Sequence, residues 1–289
     1  MTAKPAYVFN WTFYIACNYR CEYCFFDGNW EALQKLNRVP DLEIITRSWE
    51  DVYNRYGQGL IQISGGEPTV YPRFGELMAE LSRWHDWTFN TNLWWDAKRW
   101  ENFSRRDVAA RGIVQFSYHP TQEPDFEGFL EKAAFVNGLG FRKCYVCIVA
   151  YPPFIEKLPY YCERIREKGL DSRVQPLSGI FRGLSYPGGY SSEEKQSIRD
   201  LNQEGNSNLS SDLEYATAEK NPFGKPCRSG QYYCNIDQKG DITRCTQVNT
   251  EILGNLYEGF QLNQGPTPCP LTFCRCGESR WLVDNGPNS

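Results

Sequence analysis

The sequence predicts an α/β protein whose main body is a parallel sheet, followed by a small cysteine-rich tail. Three observations carry that reading. Six short β-prone runs alternate with stretches of helical periodicity over residues 6–205, which is the pattern of repeated βαβ units. An Asn/Ser/Gly stretch, Gly205 to Ser211, then reads as a linker. Beyond it, over 212–289, cysteines and turn residues replace the alternation.

The elements follow in order. Val8 to Ala16 is the first strand, and a cysteine loop follows it. Phe25 to Asp41 reads as irregular chain, and Ile45 to Tyr56 as a helix. Leu60 to Ser64 is a second strand, stopped by Gly65-Gly66-Glu67-Pro68. Phe74, Leu77, Met78, Leu81 and Trp84 recur at helical spacing after Pro72. Trp87 to Thr91 is a third strand, Asp96 to Arg105 a polar helix and Ile113 to Tyr118 a fourth strand. Phe126, Phe129, Leu130 and Ala133 mark a helix that stops at Gly138/Gly140. Tyr145 to Ala150, a helix Phe154 to Lys168 capped by Gly169, and Ser172 to Leu177 complete six strands. Ser191 to Asn202 is a last polar helix, opened by a Ser191/Glu194 capping box. Right-handed crossovers curl such a sheet, and parallel strands present ligands at their carboxyl ends. Periodicity alone does not separate a closed curl from an open doubly wound sheet.

Composition narrows the class. A hydrophobic fraction of 41% and an aromatic fraction of 15% exclude general disorder. A net charge of -4 and a pI near 5.5 give no basic surface for nucleic acid. There is no 18-residue apolar span and no small-residue cleavage site, so the expectation is a soluble, cytoplasmic protein without a membrane partner. The 12 cysteines fall in tight groups, unlike a disulfide framework, which fits a reducing compartment.

Cys17, Cys21 and Cys24 sit in one turn after the first strand. Thiolates at such gaps converge on one centre of iron-sulfur, zinc or Cu(I) type. Three ligands do not close a tetrahedral zinc site, and the next cysteine is Cys144, with His85 and His119 the only histidines. The set therefore suits a 4Fe-4S cluster with one iron left open. Competing readings are a zinc knuckle completed from a distance, and a disulfide with one spare thiol.

With Tyr23 before the last cysteine, this spacing resembles the signature of the radical S-adenosylmethionine (SAM) superfamily. The resemblance implies that SAM chelates the open iron, that one electron from the reduced cluster breaks its C5'-S bond, and that a 5'-deoxyadenosyl radical abstracts hydrogen from substrate. It also implies a partial (β/α)6 barrel over roughly 6–205 and a one-electron donor such as flavodoxin or ferredoxin. Gly65, Gly66 and Glu67, otherwise a tight turn, inherit contacts to the SAM amino group through backbone oxygen and the carboxylate. Tyr23 and Ser117 join the cofactor-binding set. So does Asn92, although Leu93 stands where the family has glycine after its Thr-Asn pair. Val174 and Gln175 border the adenine by position, and His119 is the candidate catalytic side chain.

Cys227, Cys234 and Cys245 bracket a hairpin with its turn near Lys239-Gly240, and Cys269, Cys274 and Cys276 close the chain. Four cysteines around a hairpin also describe structural zinc. Cys227-x12-Gly240-x4-Cys245 followed by Leu253-Gly254-Asn255 resembles the start of the SPASM/Twitch extension of radical SAM enzymes. That implies the Twitch form, with one auxiliary 4Fe-4S cluster on Cys227, Cys245 and members of the terminal trio, and Cys234 a bystander. Cys144, Cys147 and Cys162 are expected to be buried, the first two on opposite faces of a strand. The substrate class implied is a peptide or a small molecule. The short N-terminal arm favours a small molecule or a peptide delivered by a partner. The rival is a non-catalytic, zinc-stabilised binding protein.

Overall fold

The structure is a computed structural model that describes residues 7–26, 29–105, 107–204, 213, 217, 220–274 and 282–283. Six strands pair in parallel in chain order: Tyr7–Tyr14 (β1), Gly59–Gly65 (β2), Asp86–Thr91 (β3), Gly112–Tyr118 (β4), Lys143–Ala150 (β5) and Asp171–Pro176 (β6). The helices between and after them are Trp30–Gln34 (α1), Leu42–Tyr56 (α2), Phe74–Leu81 (α3), Ala97–Ser104 (α4), Phe126–Asn137 (α5), Leu158–Glu167 (α6) and Ser192–Glu204 (α7).

Burial along the strands decides between the curled and the doubly wound sheet. In β3 and β4 it alternates strictly. Trp87, Phe89, Val114, Phe116 and Tyr118 go under the helices, while Thr88, Asn90, Gln115 and Ser117 face the other way. A sheet covered by helices on both faces would read as continuous apolar runs. This one has an apolar outer face and a polar concave face, so it is a partial barrel around a polar lumen.

The outer layer is held by aromatic packing and by caps. Trp49 of α2 meets Phe9 and Trp11 of β1 at ring distances of 5.5 and 5.4 Å. Asp96 and Asp125 accept N–H groups of the first helical turns of α4 and α5 at 2.8 and 2.9 Å. Ser191 and Glu194 exchange the two bonds of a capping box. His85 is consumed by this layer: its Nδ1 accepts from Gly59 N–H at 3.1 Å and its Nε2 donates to Trp49 O at 2.9 Å. Burial lowers its pKa and keeps it neutral.

The tail strands extend the barrel sheet. Tyr233–Ile236 (β10) pairs in parallel with β1 on the edge opposite β2. Asp241–Cys245 (β11), Val248–Asn255 (β12) and Gly259–Phe260 (β13) follow antiparallel, making one ten-stranded sheet. The β10–β11 turn has Gly240 at φ +89°, at the expected place. Two small ribbons complete the picture: Gly179–Phe181 (β7) with Leu184–Tyr186 (β8), and Pro226–Cys227 (β9) with Thr267–Pro268 (β14).

Two expectations are corrected. The stretch Phe25 to Asp41 contains α1, anchored by buried Trp30, which a five-residue helix is too short to announce by periodicity. The helix expected from Phe154 begins as a 3-10 turn over Pro152–Lys157, and α-helix starts only at Leu158, because Pro159 suits the first turn and not an interior.

Candidate active site and C-terminal cysteine site

A cavity of about 970 Å³, open to solvent, lies at the carboxyl ends of the barrel strands. Cys17, Cys21 and Cys24 line it, and so do Tyr23, Gly65, Gly66, Glu67, Asn92, Ser117, His119 and Gln175. The cysteine loop is fastened by side chains that imitate backbone pairing. Asn37 accepts Ile15 N–H at 2.9 Å and donates to Ile15 O at 3.1 Å. Gln122 does the same for Arg20, at 3.1 and 3.2 Å. Arg20 donates to the carbonyls of Cys17 and Tyr19, each at 2.7 Å, with its guanidinium 4.9 Å from the Trp30 ring centre. Asn92 Nδ2 reaches Asn18 Oδ1 at 2.9 Å.

These constraints aim three thiols into one space where they oppose each other's ionisation. Burial, with repulsion from neighbouring groups, pushes Cys17 up to about 11 and Cys21 up to about 12. A cation reverses that preference, because coordinating thiols give up their protons. Backbone N–H groups of Tyr19 and Phe26 point at Cys17 and Cys24 sulfur, at 3.3 and 3.5 Å. Among the described residues no three Cys, His, Asp or Glu side chains converge as they would on a single ion. A four-iron cube is wider than one ion, and three thiols around an open cavity fit it by donor type and number.

Glu67 ties the second loop to the third strand. Its buried carboxylate accepts Thr69 N–H at 3.1 Å, Thr69 Oγ1 at 2.6 Å and Thr91 Oγ1 at 2.9 Å on Oε1, and Asn92 N–H at 2.6 Å on Oε2. Burial raises its pKa, and these four donors oppose the rise. The carboxylate expected to meet SAM thus also braces the loop internally. The glycines have a backbone reason. Glu67 N–H donates to Ala16 O at 2.7 Å and Gly66 N–H to Tyr14 O at 3.1 Å, so a Cβ on Gly66 would fall within the Ala16 carbonyl. A side chain at Gly66 therefore strikes the cysteine-loop backbone before any ligand.

His119 Nδ1 and Tyr23 OH share a hydrogen bond of 3.1 Å, and the Tyr23 ring packs, tilted, against Tyr151 with ring centres 4.7 Å apart. Burial pulls His119 down to about 4 and pushes the Tyr23 phenol up. Both are neutral at physiological pH. Val174, expected beside the adenine with Gln175, faces the helices, fully buried, with its N–H and C=O both held by Asn202 at 2.9 Å. Adjacent strand residues point to opposite faces, so only Gln175 reaches the cavity. Tyr19, Phe25, Phe26, Trp30 and Leu177 line it without having been singled out, and Gln122 and Asn37 act through backbone bonds that no spacing reveals.

In the tail, Cys227, Cys245, Cys269 and Cys274 line a narrower cavity. Arg244 lines it too, 2% exposed, donating to Glu251 and to Pro268 O. Its charge opposes the upward push of burial on Cys245 and Cys269. The described part of this donor set, four thiols around a small space that do not converge on a single ion, fits a four-iron cluster by donor type and number. Cys234 is elsewhere, packed in the barrel core opposite Phe9. Cys276 lies outside the described residues. Cys144, Cys147 and Cys162 are buried, and Cys144 and Cys162 belong to the outer core.

Residues 11–154 match the Radical SAM superfamily. The chain is a radical SAM enzyme. No curated protein sequence matches it. Among solved structures it is similar to anSMEcpe with bound AdoMet and the Kp18Cys peptide, at 15% identity, covering 89% of this chain and 79% of that one, with a TM-score of 0.62. It is also similar to SuiB of Streptococcus suis, at 16% identity, covering 87% of this chain and 63% of SuiB, with a TM-score of 0.60. At these identities the likeness shows a shared fold. It extends well past the barrel, so the tail strands belong to the common architecture of this radical SAM chain and its neighbours. No helix among the described residues is long and apolar enough to cross a membrane.

Proposed function

We propose that this enzyme uses SAM to abstract a hydrogen atom from a peptide, with a catalytic 4Fe-4S cluster on Cys17, Cys21 and Cys24 and an auxiliary 4Fe-4S cluster on Cys227, Cys245, Cys269 and Cys274. The observation that carries the reading is that the cysteine loop and the Gly-Gly-Glu loop line one cavity at the carboxyl ends of a parallel barrel. When bound, the catalytic cluster supplies the electron that cleaves the SAM sulfonium. The chain supplies position. Asn37, Gln122 and Arg20 fix the thiols, while Glu67 fixes the loop that faces the SAM amino group. Ser117 and Asn92 offer hydrogen bonds to the cofactor, and Gln175 reaches the adenine side. His119, kept neutral by burial, places no positive charge beside the sulfonium.

The auxiliary site has four thiols and Arg244 beside them. The four thiols would hold all four irons of such a cluster, which when bound would supply an electron acceptor. A peptide is favoured because similar structures were solved with peptides: anSMEcpe with Kp18Cys peptide, and SuiB with precursor peptide SuiA. The exposed apolar residues Phe25 and Ile180, 81% and 80% exposed, offer a landing surface near the mouth. A flavodoxin or ferredoxin in the cytoplasm is the matching electron donor.

Anaerobic purification tests the whole reading. The expected protein is brown, carries about eight irons with matching sulfide, and releases 5'-deoxyadenosine from SAM under dithionite. Release without any need for Cys17, Cys21 and Cys24 would end the catalytic assignment. Zinc bound at the tail in place of iron would end the auxiliary one.

A further inference from the structure

Below the SAM cavity the lumen opens into a second cavity of about 840 Å³, and the two share Asn90 and Gln175 as a common wall. Its far side carries Thr246, the chain neighbour of Cys245, and Tyr233 of β10. A molecule held there lies between the SAM cavity and the C-terminal cysteine site. Apart from Ile63 and Phe89 the lining is polar, including Asn10, Gln62, Thr88 and Gln115, and all but one of its residues are neutral. Arg173, on the lumen face of β6, is the only charged residue among the described residues that line it.

Arg173 is unusual for a lumen cation. Its Nε is buried with no hydrogen-bond partner, and it forms no ion pair among the described residues. The acid two positions before it on the same face, Asp171, is taken by Lys143 at 2.8 Å. Arg173 is half-buried, and a charge partly withdrawn from water gains from a partner because its desolvation is costly. A guanidinium that lines a polar cavity without an ion pair matches one carboxylate by two parallel hydrogen bonds. A phosphate dianion would bring a second charge for which the lining offers no cation.

We infer that Arg173 is a substrate-binding residue that holds a carboxylate of the substrate in the lumen. Resting on the peptide reading above, that carboxylate belongs to an acidic side chain or a C-terminus. The assignment makes Arg173 a determinant of specificity, set apart from the residues that face SAM.

The test compares two matched probes, N-acetyl-glutamate amide and N-acetyl-glutamine amide, which differ at a single charged group. Each is titrated into the SAM-loaded, cluster-reconstituted protein at constant ionic strength and read by thermal shift, with inorganic phosphate as a third probe. The glutamate probe is expected to raise Tm saturably and the glutamine probe to need about ten-fold more. Arg173→Gln should erase the difference, and Arg173→Lys should keep part of it. SAM affinity and iron content should stay level in both variants, and the variants' own melting curves report folding. The inference is overturned if wild type shows no saturable response to the glutamate probe, if Arg173→Gln still prefers it, or if phosphate outcompetes it. A fall in SAM affinity in Arg173→Gln, with the probe preference intact, would assign the guanidinium to SAM instead. Wild-type protein that binds neither iron nor SAM would bring down the functional reading, and this inference with it.

Discussion

The two cysteine sites are built in opposite ways. At the barrel mouth Cys17 and Cys24 stay partly exposed, on a loop whose carbonyls and amides are gripped by Asn37, Gln122 and Arg20 from other parts of the chain. In the tail Cys227, Cys245, Cys269 and Cys274 are 6–9% exposed and pack with Val8, Val248, Leu282 and Val283. Polar clamps hold the first site open, and apolar packing holds the second closed. An open three-thiol loop leaves room for a cofactor to complete the coordination. A closed four-thiol pocket suits electron transfer or structure. The sheet joins them, since Val8 belongs to β1, the strand that leads into the cysteine loop, and also packs in the tail cluster.

The largest effects should come from removing each donor set separately. Replacing Cys17, Cys21 and Cys24 by Ala should abolish 5'-deoxyadenosine release and remove about four irons, leaving the tail cluster's absorption. Replacing Cys245 and Cys269 by Ser should remove a similar amount of iron while SAM cleavage persists. Because metal binding at the closed site is also folding energy, this second variant should melt lower than the first. Equal melting of the two would break the contrast between an open and a closed site.

Next in size is Gly66→Val. Its side chain meets the Ala16 carbonyl, so the β1 and β2 loops have to separate, at a cost on the order of 2–4 kcal/mol. Denaturant unfolding should show that loss together with weaker SAM binding, and the tail cluster should keep its spectrum. Full stability with lost SAM affinity would mean that the side chain points into the cofactor space.

The parallel sheet and its helices were legible in the sequence because the strands are short and β-prone and the helices strongly periodic, whereas the curl into a barrel was legible only through the cysteine motif's resemblance. The cysteine gaps and the Gly-Gly-Glu turn announce themselves by residue type. Val174 lies outside the cavity because strand alternation sends it under the helices while its neighbour Gln175 faces in. α1 was invisible because one buried Trp carries it. Gln122 and Asn37 were invisible for a different reason: an amide that clamps a distant backbone has no local pattern, and only the fold brings Gln122 to Arg20, across a sequence separation of 102. Likewise, nothing in the spacing of Asn10, Gln115 and Arg173 shows that they share a lumen.

A smaller effect should follow from cutting one clamp. Gln122→Ala removes both bonds to Arg20, worth about 1 kcal/mol in a partly exposed setting. The protein should stay folded, but the open site should lose iron faster on exposure to air, followed by absorbance decay. Arg244→Gln, the corresponding change at the closed site, should leave that decay unaltered and instead move the tail cluster's potential downward, because a positive charge beside it is lost.

The last effect is a pH dependence confined to the open site and absent above about pH 6.5. His119 sits near 4 when folded, against an unfolded value near 6.5, because burial penalises its cation. Between those values the unfolded chain binds the extra proton and the folded chain does not. Stability from this group is therefore complete above about pH 6.5 and is lost as pH falls towards 4. Protonation would also break an acceptor role of Nδ1 towards Tyr23 and place a cation beside the SAM cavity, so SAM affinity should fall in the same window. His119→Gln keeps a hydrogen-bonding group without the titration, and should flatten both profiles between pH 6.5 and 5 while the tail cluster's spectrum stays constant. Parallel pH profiles in wild type and His119→Gln would show that another group controls the open site.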